Sequence, residues 1–297
     1  MRKTLSIVFV FVCLLATAFA QGPVSAVDSL ERAVRLSKPA TRVISLAPGP
    51  TEVLFAIGAK VVGVTTYCLY PPEALKVEKI GGFSADSMSL EKILSLRPDL
   101  VVDSGAIHTA LTKNLADYGI PHYSYDPASF DDIAQGIRNL GALTGRKKEA
   151  EDVAATMLRR IDEVKRRLEA IANDKRTSVF WEVYNEPLMT CGSATFQHAI
   201  VEAGGGRDIF SDLPGSWPMV SNEEVIKRAP EVIMGADDHG EGLSLKALKA
   251  RPGWELVPAV KNGRVILVPT GIVSNPGPRV AEGVQAVAEA LYPELFK

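Results

Sequence analysis

Four histidines and three cysteines are the whole stock of soft metal ligands in this 297-residue chain. A metal-ion site needs three or four converging His, Asp or Glu side chains, and four scattered histidines fit that poorly. An excess of charge of one sign is also lacking. The formal net charge is −2, which leaves no footprint for a nucleic acid or another polyanion. Beyond the first 20 residues no apolar run approaches the roughly 18 residues that a membrane span needs. Common catalytic signatures are missing too: there is no G-x-S-x-G, H-E-x-x-H, G-x-x-x-x-G-K-[ST] or G-x-G-x-x-G. The glycines of "EAGGGRD" lack the fingerprint spacing. No catalytic residue, resident cofactor or structural metal is therefore expected.

What is present suits a globular protein. The chain is 46% hydrophobic and 23% charged, and its length fits one large domain or two of about 130 residues each. Arg2 and Lys3 precede the apolar run "LSIVFVFVCLLATAFA", which ends in Ala18-Phe19-Ala20. A basic start, an apolar middle and an A-x-A end predict a secretory signal cleaved after Ala20. Cys13 follows Val10-Phe11-Val12, with no small residue before it, and does not fit a lipid-attachment site. Cys68 and Cys191 remain. In an exported protein they can pair or stay as free buried thiols, and the sequence leaves both open.

From residue 42 short apolar runs alternate with amphipathic stretches. Strands are expected at 42–46, 61–65, 99–103 and 121–125, with helices at 50–58, 89–97 and 109–118. The second half repeats the scheme, with strands at 178–184, 231–236 and 264–269 and helices near 194–203, 221–229, 244–250 and 278–291. Such alternation predicts βα units and parallel sheets. Between the halves, residues 147–173 hold neither Gly nor Pro. Ala154, Met157, Ile161, Val164, Leu168 and Ile171 recur at steps of three and four, which predicts one long amphipathic helix. The expected fold class is α/β: two parallel-sheet lobes (41–146 and 174–297) bridged by the helix 147–173, with a ligand cleft between them.

One segment occurs twice. "SLEKILSLRPDLVV" starts at Ser89 and "SNEEVIKRAPEVIM" at Ser221. In each, the Ser suits a helix N-cap, the Glu the first turn, and the Pro the stop before a buried strand. Those roles explain every shared position structurally. A second reading uses the duplication: Glu91 and Glu223 would project from matching points of two lobes as a paired acidic dock for a basic partner.

These segments, with "RVISLAPGPTEVLFAIG", "VVGVTTYCLYPPEA", "GGGRDIF", "WPMVSNEEVIKRAPEVI" and "GPRV", resemble the class III periplasmic solute-binding proteins of ABC importers, above all the cobalamin-binding members. The resemblance covers residues 41–295. It implies two α/β lobes joined by a long helix, a monomer in the periplasm, capture of a corrinoid or an iron chelate (haem, a ferric siderophore), and docking of Glu91 and Glu223 on arginines of a membrane permease. Glu224 competes with Glu223 for the second role. Chelatase-like tetrapyrrole enzymes share the architecture and are the rival class.

In open α/β sheets ligands sit beyond the carboxyl ends of strands, so the loops there are the candidates. Tyr67 and Tyr70 flank Cys68 in "TTYCLYPP"; either ring can stack on a flat macrocycle or pack on the prolines. Trp217 in "GSWPMVS" matches a family aromatic beside the ligand. Cys68 and Cys191, in candidate cleft loops, and His108 and His239 can reach a metal centre, and Arg279 can meet an anion or simply open the last helix. Where cobalamin binders tend to carry a Trp after the strand at 99–103, this chain reads "DSGAIH". Its last loop, "TGIVSNPGPR", lacks their Asp and Arg before the Pro-Arg.

Overall fold

The computed structural model describes residues 22–297, except the side chains of residues 239–241. The expected leader with its Ala20 cleavage point, and the side chain of His239, lie outside the described residues. The chain opens with an antiparallel hairpin, β1 (Val24–Val27) and β2 (Ala33–Leu36). Next come β3 (Val43–Ser45), α1 (Pro48–Ala56), β4 (Val61–Val64), α2 (Leu90–Ser95), β5 (Leu100–Asp103), α3 (Thr109–Asp117), β6 (His122–Ser124) and α4 (Phe130–Thr144). Helix α5 (Lys147–Leu168) leads to β7 (Ser178–Asn185), β8 (Leu188–Thr190), α6 (Phe196–Ala203) and β9 (Arg207–Asp208). Then follow α7 (Asn222–Arg228), β10 (Val232–Ala236), α8 (Leu245–Lys249), α9 (Pro258–Lys261), β11 (Val265–Val268), α10 (Thr270–Val273) and α11 (Val280–Leu291).

The two sheets share one parallel plan. In the first the order is β4-β3-β5-β6; in the second it is β9-β7-β10-β11. Counting only the parallel strands of each lobe, both read second, first, third, fourth. The duplicated segment is thus one sign of a duplicated topology. The second sheet departs from the all-parallel expectation through β8, which returns antiparallel on the end of β7. The link is Glu186-Pro187 alone, too short for anything but a hairpin.

Strand residues alternate between two cores, as a pleated sheet covered on both faces requires. Val43, Leu100 and Val102 join one large cluster, while Ile44 and Val101 face a second. Across the molecule Val179, Trp181, Val232 and Met234 join that same large cluster, and Phe180 and Ile233 a third. The large cluster belongs to both lobes because α5 runs through it. Ala150, Ala154, Met157, Ile161, Val164 and Leu168 are all buried along one stripe of this helix. At 22 residues it spans about 33 Å. It ends five residues before the expected 173, although Ile171 still packs on the shared core, so the apolar period outlasts the helix.

Besides the short β8, β9, α9 and α10, two larger features escape the pattern reading. The hairpin lies before residue 41, ahead of the expected lobe. Its tip binds the outer edge of β6, with Ser29 N–H donating to Ser124 O at 2.9 Å. Helix α4 was hidden by Gly136 and Gly141, which lower helix propensity. Both are needed for close packing: a Cβ on Gly136 would lie 2.4 Å from the Tyr125 ring, and one on Gly141 would lie 2.3 Å from Ala150 Cβ. Since Ile161 sits in a core common to both lobes, Ile161→Ala should cost about 2–5 kcal/mol. Urea unfolding followed by circular dichroism should show one shifted midpoint for the whole chain; a shift confined to part of the signal would contradict a shared core.

Candidate ligand cleft

A helix that feeds a parallel strand begins beside the carboxyl ends of that sheet. The starts of α2 and α7 therefore lie on the same side of their sheets as the loops that line the cleft. Both starts are capped alike: Ser89 Oγ accepts from Lys92 N–H and Ser221 Oγ from Glu224 N–H, each at 3.2 Å. Glu91 and Glu223 stand one position past the first helical residue and are exposed. Glu224 is engaged elsewhere, accepting from Arg228 Nε at 2.8 Å. Arg228 also pairs with Asp212. Of the two neighbouring acids, Glu223 is the one left facing solvent. Its own backbone N–H, and after it the Ser221 hydroxyl, hold its carboxyl below the usual range.

Between the lobes lies a cavity of about 420 Å³, within the span of small-molecule sites. Phe83, Ser104 and Asp126 line it from the first lobe, Gln197 and Trp217 from the second. Pro276 lines its floor, and beneath it the turn Pro276-Gly277-Pro278 meets the first residues of α1, Pro48-Gly49-Pro50. A Cβ on Gly49 would lie 2.9 Å from Pro276 Cδ, so only glycine allows the two to meet. Tyr125 donates its hydroxyl to Pro276 O at 2.8 Å. Glu52, buried at the start of α1, takes a two-pronged ion pair from Arg279, whose Nε lies 2.9 Å from Oε2. The ring of Tyr70 covers the same guanidinium at 3.6 Å.

This floor reassigns several expected ligand contacts. Arg279 is committed to Glu52, to the Gly271 carbonyl and to Tyr70, so it clamps the lobes instead of meeting an anion. Cys68 is fully buried, with Thr51 donating to its Sγ at 3.0 Å. Cys191 is buried near Asp208, and both thiols are free, which removes the disulfide alternative. His108 is buried as well. Its Nδ1 accepts from Ser104 N–H at 3.0 Å and its Nε2 donates to Phe83 O at 2.8 Å. Both nitrogens are occupied, and burial lowers its pKa, so a neutral His108 braces the cleft wall and ligates nothing. Among the described residues no cluster of three His, Cys, Asp or Glu could hold a metal ion.

Tyr67 and Trp217 remain as exposed aromatics at the cleft, 60% and 43% accessible. Phe83, not singled out from the sequence, joins them: its ring meets Tyr67 edge-on at 6.2 Å and His108 at 5.6 Å. It follows no strand, so the strand-end rule passes over it. Asp126 directly follows β6 and its tyrosine, so that rule could have found it. Gln197 sits inside the first turn of α6, three residues past the loop considered.

Asp103, at the end of β5 beneath Ser104, is buried. Its Oδ1 accepts from Ser124 Oγ at 2.6 Å and from Gly105 N–H at 2.9 Å, whereas Oδ2 has no partner among the described residues. Burial pushes its carboxyl up to about 6. With the folded value above the unfolded one, stability falls as pH rises from 4 to 6, and the full cost, roughly 3 kcal/mol, persists above that. Asp103→Asn should therefore raise the melting temperature at pH 7.5 and lose that advantage near pH 4. A gap that ignored pH would refute the assignment.

Comparison with known proteins agrees with this architecture. A family model described as periplasmic binding protein matches residues 43–270. An uncharacterized ABC transporter substrate-binding lipoprotein of Bacillus subtilis, YvrC, is 34% identical over 282 residues, 93% of this chain and 87% of that protein. The vitamin B12-binding protein of Salmonella paratyphi A is 36% identical over 208 residues, 70% of this chain and 76% of its own length. The periplasmic haem-binding protein RhuT from Roseiflexus sp. RS-1 superposes with a TM-score of 0.76 at 27% identity, covering 86% of this chain and 99% of that one. The chain belongs to the periplasmic binding protein family and is a substrate-binding protein of an ABC transporter.

Proposed function

We propose that this protein captures a corrinoid in the periplasm, after cleavage of its leader at Ala20, and delivers it as a monomer to the permease of an ABC importer. It acts by binding and release, without catalysis. The observation that carries the reading is the charge of the cleft. Among the described residues lining it there is neither Arg nor Lys, and Asp126 is the one ionisable side chain. Arg279, the nearest expected cation, is held by Glu52. Haem and many ferric siderophores present carboxylate or other anionic oxygens, which bind best to paired cations. A corrinoid rim carries neutral carboxamides and a broad apolar ring edge. The aromatic trio Tyr67, Phe83 and Trp217 suits that edge. The structural likeness to a haem binder supports haem as a second reading.

Delivery is assigned to Glu91 and Glu223. They occupy equivalent turns of two equivalent lobes on the cleft side, so one partner with two basic pockets could engage both. The double variant Glu91→Ala, Glu223→Ala should keep ligand affinity within about twofold. Its binding to permease in detergent or nanodiscs should drop by roughly tenfold or more, with the wild-type complex weakening as salt rises. Equal loss of both functions would argue against a docking role. Visible absorption titrations with cyanocobalamin and haem separate the two ligand readings, because their bands differ.

A further inference from the structure

The polar side chains of the cleft are unevenly satisfied. Gln197 is only 7% exposed, lines the cavity, and its side-chain oxygen has no hydrogen-bond partner among the described residues. Burying an unpaired amide costs of the order of 1–3 kcal/mol. The oxygen is an acceptor shielded from the cavity, so the amide must turn towards the cleft for a ligand N–H to complete it. Gln197 also lies in the first turn of α6, where Thr195 caps His198 N–H at 3.2 Å and the earliest N–H groups point out of the helix. This wall of the second lobe therefore holds one unpaired acceptor beside the N–H groups of a helix start.

Asp126 faces the cavity from the first lobe. Its carboxylate lies against Gly105, where a Cβ would meet Oδ2 at 2.5 Å. Loss of water on its inner side pushes its carboxyl above the usual range, and no donor offsets the effect. The side chain is exposed to the cleft and accepts no side-chain hydrogen bond from a described residue. Each wall thus holds an acceptor that lacks a donor. A primary carboxamide has two N–H donors for these acceptors and a carbonyl for the N–H groups of the helix start. A carboxylate has no donor for either acceptor and would face Asp126 across the cleft.

We infer that Asp126 and Gln197 are specificity residues that read a peripheral carboxamide of the ligand and select against a carboxylate in its place. The inference rests on the corrinoid reading and deepens it. The experiment titrates folded wild type, Asp126→Asn and Gln197→Leu at pH 7 with three probes: cyanocobalamin, its separated monocarboxylic acids (one side-chain amide hydrolysed in each), and haem. Wild type should bind cyanocobalamin about tenfold more tightly than at least one acid. Asp126→Asn should bring that ratio towards one by tolerating the acid. Gln197→Leu should weaken cyanocobalamin by about tenfold while the melting temperature rises or holds, since the unpaired amide is gone. If wild type binds cyanocobalamin and every acid equally, or if neither variant changes its respective quantity, the inference fails while the corrinoid reading stands. Preference for haem, or no binding of any probe, overturns both.

Discussion

A narrow apolar stripe on one helix serves two sheets at once, and the rest of the molecule depends on it. Ala150 to Leu168 of α5 pack into a cluster that takes in the inner faces of both lobes. Each sheet keeps a separate core on its other face. Neither lobe can rotate far about α5 without exposing part of the common core, which is close-packed and does not deform gradually. A cleft built on such a frame is largely pre-formed. Its walls approach a ligand through loop and side-chain adjustment more than through hinge closure.

The seam beneath the cleft adds a directional constraint. The glycine-bearing start of α1 touches the turn Pro276-Gly277-Pro278, and a buried bidentate pair crosses between them. Buried ion pairs contribute little net stability compared with apolar packing, but leaving one partner alone is costly. Glu52 and Arg279 therefore favour one alignment of the lobes over nearby ones. Tyr70 closes over the guanidinium and so belongs to the clamp, while the residue stays 44% exposed. Among the described residues lining the cavity there is no Arg or Lys, and Arg279 is spent on this clamp. Architecture and ligand preference are thereby linked through one side chain.

Duplication accounts for the outer surface. Two sheets of one topology place two similar helix starts at corresponding corners, each with a capping serine and an exposed glutamate. The local energetics of the cap explain the serines. They do not explain why the glutamate is free in both copies, since Glu224, next in sequence, is taken up by Arg228. The free pair is what a two-point dock requires.

Local pattern was enough to read the alternating strands and helices, the bridging helix and the repeat, because those features are written in the spacing of neighbouring residues. Helix α4 escaped because its glycines serve contacts with Tyr125 and Ala150, distant partners that a local pattern cannot show. The same limit separates the site residues. Tyr67 and Trp217 could be nominated from loops after strands, but so could Cys68, His108 and Arg279, which the fold turns inward to thiol, imidazole and guanidinium partners. Phe83, Asp126 and Gln197 come together only when the lobes do. The sequence by itself determined which segments become strands and helices, since that follows from periodic burial. Only the tertiary structure decided which polar groups stay unpaired at the cleft, because a hydrogen bond is settled by what lies within three ångströms in space.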